Sequence, residues 1–240
     1  MNIAVIGDVH SRETWKDVVK KVVVDKIIFL GDYCDPYLYE FDETPDVIKV
    51  LREIIQFKKD HPSQVILLLG NHDTWYIYDV ERGSRFDRDK YKELNKLFKD
   101  NLDLFQYAYK VDNHLFTHAG VSSGWLKRWR KILDTGGLKE DLSNIDEVLN
   151  KAGKTSATVG IINNVGAERG GRAEGGITWA DRSETIYNQL PGIHQYVGHT
   201  QIEKVTRVEA KHEMNSSITY CDCLGISKQP LDKRFLILDI

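Results

Sequence analysis

Apolar and polar positions follow two rhythms along the first seventy residues. The run from Asn2 to Asp8 is short, mostly apolar and closed by Gly-Asp, the pattern of a strand buried on both faces. Trp15, Val18, Val19 and Val22 then fall at helical spacing and predict an amphipathic helix. KIIFLGD, Lys26 to Asp32, predicts a second buried strand. Thr44 and Pro45 read as an N-cap and first helical position, and Val47, Ile48, Leu51, Ile54 and Ile55 continue as one apolar face. QVILLLGNHD, Gln64 to Asp73, predicts a third strand. Strands alternating with helices pair in parallel through right-handed crossovers, so the class expected is α/β.

The later pattern is different. Leu104 to Lys110 and His114 to His118 flank Asp112-Asn113 and predict a hairpin whose second arm ends in THAG. From about 121 to 176 come a basic aromatic stretch, GWLKRWRK, a helix expected near Leu142 to Lys151, and the glycine-rich tract VGAERGGRAEGG. We read these residues as an insertion or cap on one domain spanning 1–240. HQYVG, EKVTRVEA, SSITYCD and RFLILDI predict four short strands in a mainly antiparallel second half.

Composition narrows the classes. The 33 Lys and Arg against 36 Asp and Glu give a net charge of −3, too mild to favour nucleic acid as the default partner. MNIAVIGDVH lacks the basic and long apolar regions of a signal peptide, and no apolar run approaches the ~18 residues of a membrane span. Three cysteines, Cys34, Cys221 and Cys223, do not suggest a disulfide framework. The expectation is a cytoplasmic protein without a membrane partner.

Candidate chemistry gathers at the strand ends, where ligands of α/β sheets bind. The first three strands end in GDVH, GDYCD and GNHD. In an extended chain Asp8 and His10 point to the same side and could reach one cation together. Asp32, Asn71, His118 and His199 close the other runs. Six oxygen and nitrogen donors exceed one ordinary zinc site but suit two adjacent ions sharing a carboxylate. Each residue alone has an ordinary reading as a turn former or a packed histidine; it is their joint occurrence that points to metal.

GDVH, GDYCD, GNHD, THAG and VGHT, in this order over nearly the whole chain, resemble the calcineurin-like metallophosphoesterase superfamily. The resemblance implies a four-layer α-β-β-α sandwich with two central mixed sheets and the metal site at strand ends. It implies that Asp8, His10 and Asp32 bind one divalent ion and that Asp32, Asn71, His118 and His199 bind a second. Manganese is expected, with iron, zinc, nickel or cobalt also compatible with such ligands. Two divalent ions against two carboxylates and a bridging hydroxide leave the core at about +1, a host for phosphate. His72 is expected to protonate the departing oxygen, with Asp35 orienting it as the matching aspartate does in related protein phosphatases, or Asp73 in its place. Cys34 is expected only to pack.

Several departures refine this. Gln201 stands where many relatives keep a second histidine, which resembles the serine/threonine phosphatase and diadenosine tetraphosphatase branch, as do THAG, GGITWADR and TYCDCLG. That branch usually places a phosphate-holding arginine where this chain has Pro36. Arg12 and Arg182 are the substitutes the sequence offers, since guanidinium forks suit phosphate oxygens, with Arg169 and Arg172 as outside candidates. The function expected is hydrolysis of phosphate monoesters, on a phosphoprotein or a nucleotide. The alternatives are a phosphodiesterase or nucleotide pyrophosphohydrolase acting on dinucleoside polyphosphates, cyclic phosphates or RNA ends, and, more remotely, a non-catalytic scaffold.

Overall fold

The computed structural model describes residues 1–78, 83–133, 137–210, 215–225 and 228–240, which form two compact units. The first comprises Met1–Gln106, Gln201–Val205 and Cys221–Ile240. In it the predicted alternation is realised as β1 (Asn2–Ile6), α1 (Thr14–Lys21), β2 (Lys26–Phe29), α2 (Val47–Asp60), β3 (Val65–Leu68), α3 (Asn71–Ile77), α4 (Tyr91–Lys99) and β4 (Phe105–Gln106). The four strands pair in parallel in chain order, with Val5 opposite Ile28 and Ile28 opposite Ile66. Ile3, Ala4, Val5 and Ile6 are all wholly buried, as a parallel sheet covered on both faces requires.

Several elements differ from the sequence reading. Helix α2 is capped by Asp46, whose side chain accepts from the Lys49 N–H, so Thr44 and Pro45 lie outside it. The third apolar run stops being a strand at Leu68, and GNHD opens α3 directly. Helix α4 was not expected, because only Leu94 and Phe98 of its nine residues are buried and so brief a stripe is weak evidence.

The second unit, Tyr107–Thr200 and Thr206–Tyr220, begins with the expected hairpin: β5 (Ala108–Val111) and β6 (His114–Thr117) turn through Asp112, at a φ of 49°. The expected insertion range contains α5 (Ser123–Leu133), α6 (Ile145–Lys154) and α7 (Val159–Ile162). In α5, Trp125, Leu126 and Leu133 are buried, while Lys127, Arg128 and Lys131 are exposed. After α8 (Arg182–Tyr187) come β7 (His194–Val197), β8 (Thr206–Glu209) and β9 (Ser217–Tyr220), giving the order β5-β6-β7-β9-β8. The centre of this sheet is parallel, β6 with β7 and β7 with β9, and only its margins are antiparallel, because the helices between β6 and β7 make a crossover.

The last strand, β10 (Leu236–Asp239), rejoins the first sheet beside β1, antiparallel. It alternates between half-buried and exposed positions, as an edge strand solvated on one side does. Both sheets are therefore mixed and five-stranded, and the class is α/β as expected. Among the described residues no helix is long and apolar enough to cross a membrane.

Asn150 of α6 secures the start of β5. Its Oδ1 accepts from the N–H groups of Tyr107, at 2.7 Å, and Ala108, at 3.0 Å, while its Nδ2 donates to Ala108 O. Replacing Asn150 by alanine removes all three of these bonds, so urea unfolding should show a loss of about 2–3 kcal/mol.

Candidate metal centre

The loops after β1 and β2 are built from residues in left-handed backbone conformation. His10, Ser11, Asp32 and Asp35 have φ of 43°, 62°, 52° and 55°. For non-glycine residues such geometry costs roughly 1–3 kcal/mol each, and it concentrates at functional sites. Here it is held by hydrogen bonds: His10 N donates to Asp32 O at 2.7 Å and Ser11 N to Tyr33 O at 2.9 Å. Asp73, in the first turn of α3, accepts from the N–H groups of Gly70, Asp32 and Tyr33 at 2.8–2.9 Å. Gly70 is needed for closeness, since a Cβ there would fall 2.1 Å from Asp32 Oδ1.

This turn geometry, and not the extended chain expected, brings Asp8 and His10 together. His10 Nδ1 lies 2.8 Å from Cys34 O, and a carbonyl can only accept, so the proton is on Nδ1 and Nε2 presents a lone pair. That Nε2 is 3.6 Å from Asp32 Oδ2 and 3.9 Å from Asp8 Oδ2. The Cys34 thiol is buried and pushed up by burial, so the residue contributes its carbonyl, not its sulfur.

His72 is adjacent. Its backbone N–H donates to Asp32 Oδ1 at 2.9 Å, and its ring lies edge-on to His10, with 5.1 Å between centroids. His10, Asp32 and His72 each offer a ligand atom, all within 4.8 Å of one another. Asp8, Asn71 and Asp32 are no more than 2 % exposed. Burial, and then the Asp73 charge, push the Asp32 carboxyl well above the ordinary range. Asp222, from TYCDCLG, is hydrogen-bonded to Asp8 and pushed up to about 6, chiefly by burial. Buried carboxylates beside an imidazole lone pair form a donor set suited to a divalent transition ion.

Within the second unit, two histidines stand close together. His118 follows β6 and is wholly buried; His199 follows β7 at a φ of 61°. Gly198 N donates to His118 O at 2.7 Å, which sets the two rings 5.1 Å apart, and Trp179 packs edge-on against His199 at 5.6 Å. The glycine-rich tract is tied down nearby: Arg169 pairs with Asp181 at 2.7 Å and donates to Thr200 Oγ1 at 3.2 Å.

His72 has a full set of partners. Arg85 Nη2 lies 2.9 Å from His72 Nε2, and a guanidinium can only donate, so the ring proton sits on Nδ1 and is directed at Asp35 Oδ2, 2.8 Å away. Asp35 also accepts from the Tyr76 hydroxyl. Burial pushes Asp35 up to about 8, against the opposing pull of Tyr76 and Arg85. Asp73, the other orienter considered, is occupied by backbone N–H groups.

The predicted arginines are placed differently. Arg12 is 5 % exposed and forks onto Glu40 at 2.6 and 3.0 Å, with Nη1 donating to Asp8 O. It thereby ties Glu40 to the backbone of Asp8. Arg182 is half-buried at the start of α8, its guanidinium 5.1 Å from the Tyr220 ring centroid. Arg172 is exposed. Arg85, Tyr76 and Asp222 were missed as site residues, because Arg85 and Tyr76 belong to none of the five motifs and Asp222 figured only within a segment resembling the branch.

The calcineurin-like phosphoesterase family pattern matches residues 1–202. The chain belongs to that family. A Caenorhabditis elegans protein provisionally named a serine/threonine-protein phosphatase is 27% identical over 156 residues, 62% of this chain and 36% of its own length. The PP2A-like serine/threonine-protein phosphatase PPG1 of Saccharomyces cerevisiae is 26% identical over 130 residues, 50% of this chain and 33% of its own. The chain thus spans about a third of these relatives. Among solved structures, the cold-active protein-tyrosine phosphatase of a psychrophilic Shewanella species has a TM-score of 0.54 at 18% identity, covering 99% of this chain and 80% of that one. A likeness at this identity shows the shared fold. The chain is thus a metallophosphoesterase, distantly similar to protein phosphatases.

Because the donors are buried carboxylates and imidazoles, ion binding should stabilise the folded state. Adding Mn²⁺ to chelator-treated protein at a hundred times its Kd should contribute about 2.7 kcal/mol, read as a raised Tm. Asp32→Asn should abolish most of that rise; an equal rise in the variant would remove Asp32 from the ligand set.

Proposed function

We propose that this metallophosphoesterase hydrolyses phosphate monoesters, with His72 as the acid that protonates the departing oxygen and Asp35 as the group that holds and charges it. The observation that carries this reading is the buried His72–Asp35 pair at 2.8 Å, one helical position from Asn71. A proton donor to the leaving group must be fixed in orientation, and the chain Tyr76–Asp35–His72 fixes it. A degraded scaffold would have no need for a charge-orienting carboxylate behind a histidine.

Asp8, His10 and Asp32 hold one divalent ion in this reading, and Asp32, Asn71, His118 and His199 hold the other. When bound, such ions supply an activated water and positive charge at the phosphate oxygens. Manganese is our first choice for both sites. The chain's own residues do the rest: Cys34 O and Asp35 orient the two imidazoles, Asp73 holds the Asp32 loop, and burial excludes water from the carboxylates. A phosphorylated protein is the substrate class supported by the names of the serine/threonine phosphatase relatives. Arg182, which forms no ion pair among the described residues, is the arginine of the second unit that we place at the substrate.

Manganese-loaded protein should hydrolyse p-nitrophenyl phosphate in preference to its bis ester, and a strong preference for the bis ester would favour the phosphodiesterase alternative. His72→Ala should lower kcat about 10²–10⁴-fold while both ions stay bound, checked by elemental analysis. Loss of metal in that variant would instead make His72 a ligand. Arg182→Ala should raise KM with kcat little changed.

A further inference from the structure

None of the sequence motifs marks the cation that stands nearest His72. We propose that Arg85 grips the phosphate oxygens of the substrate, supplying from another loop the arginine that GDYCDPY lacks; the inference rests on the phosphomonoesterase reading above. The stretch that lost the arginine is the one that holds its replacement. Arg85 Nη1 donates to the carbonyl of Asp35, and its guanidinium lies 3.7 Å from the centroid of the Tyr37 ring. Tyr37 follows Pro36 directly and packs edge-on against His10 at 5.0 Å. Stacking on an aromatic face fixes a planar guanidinium while leaving its N–H edge free to bind.

That edge faces the reacting groups. Nη2 is 2.9 Å from His72 Nε2, and Nη1 is 3.5 Å from His10 Nδ1, whose proton is already given to Cys34 O. Arg85 forms no ion pair with a carboxylate among the described residues, unlike Arg12, whose fork is taken up by both oxygens of Glu40. It is only half-buried, and it lines a cavity of about 390 Å³ with Gly83, Phe86, Arg88 and Tyr91. A neutral imidazole is a weaker acceptor than a phosphate dianion. An arriving phosphate therefore takes the guanidinium, and the freed His72 Nε2 takes up a proton from solvent, which the imidazolium then gives to the departing oxygen.

The test reads phosphate affinity without turnover. Inorganic phosphate is titrated calorimetrically into metal-loaded wild type, Arg85→Ala, Arg85→Lys and Tyr37→Leu. The Kd should rise about 10- to 100-fold in Arg85→Ala, less in Arg85→Lys, which keeps a point charge but loses the fork, and less again in Tyr37→Leu. Metal content and Tm should stay as in wild type, and KM for p-nitrophenyl phosphate should rise with the Kd. An unchanged phosphate Kd in Arg85→Ala overturns the inference, as does a fall in kcat alone, which would make Arg85 only a prop for His72. Wild type that binds no phosphate overturns it too. A wild type that cleaves only diesters defeats the monoesterase reading, while the calorimetric comparison still decides Arg85.

Discussion

The Asp73 carboxylate is the fixed point on which the metal loops of the first unit depend. It gathers the N–H groups of Gly70, Asp32 and Tyr33, so that the end of β2 and the start of α3 become one rigid turn. The left-handed backbone of Asp32 and Asp35 persists because these bonds over-determine it. From that turn follow the other placements: Asp32 Oδ1 meets the His72 N–H, Cys34 O meets His10, and Asp35 meets the His72 ring. A carboxylate used wholly by the backbone thus determines where the chemistry-bearing carboxylates point.

Its burial has an electrostatic consequence. Asp8, Asp32, Asp35, Asp73 and Asp222 lie within one buried region, and burial pushes Asp32, Asp35, Asp73 and Asp222 upward in pKa. Of the two guanidiniums set against them, Arg12 is neutralised by Glu40 and Arg85 is not. A site with this excess of acceptors is stable with cations bound and poor without them. Beside Arg85, the aromatic rings of Tyr37 and Trp75 pack against the His10 and His72 imidazoles.

Much of the fold was legible because its strands are short apolar runs and its larger helices carry clear stripes. The α/β class, the hairpin at Asp112 and the last four strands could all be read that way. What escaped had a weak local signal. Helix α4 buries two residues, Asp46 displaced Thr44 as the cap of α2, and the parallel centre of the second sheet depends on which strands meet, which no local run encodes.

The chemistry of this protein was written locally: a glycine followed by Asp, Asn or His at successive strand ends names donors, because side-chain type alone decides what can bind a cation. Their arrangement was not. Asp8 and His10 come together through a left-handed turn, Arg12 forks onto Glu40, and Arg85 reaches His72 from a loop with no motif. Direction depends on backbone torsions and on partners distant in sequence, such as the 50 residues between Asp35 and Arg85. Which residues could serve was decided by composition at the strand ends, and which of them face the reaction was decided only when the chain closed on itself.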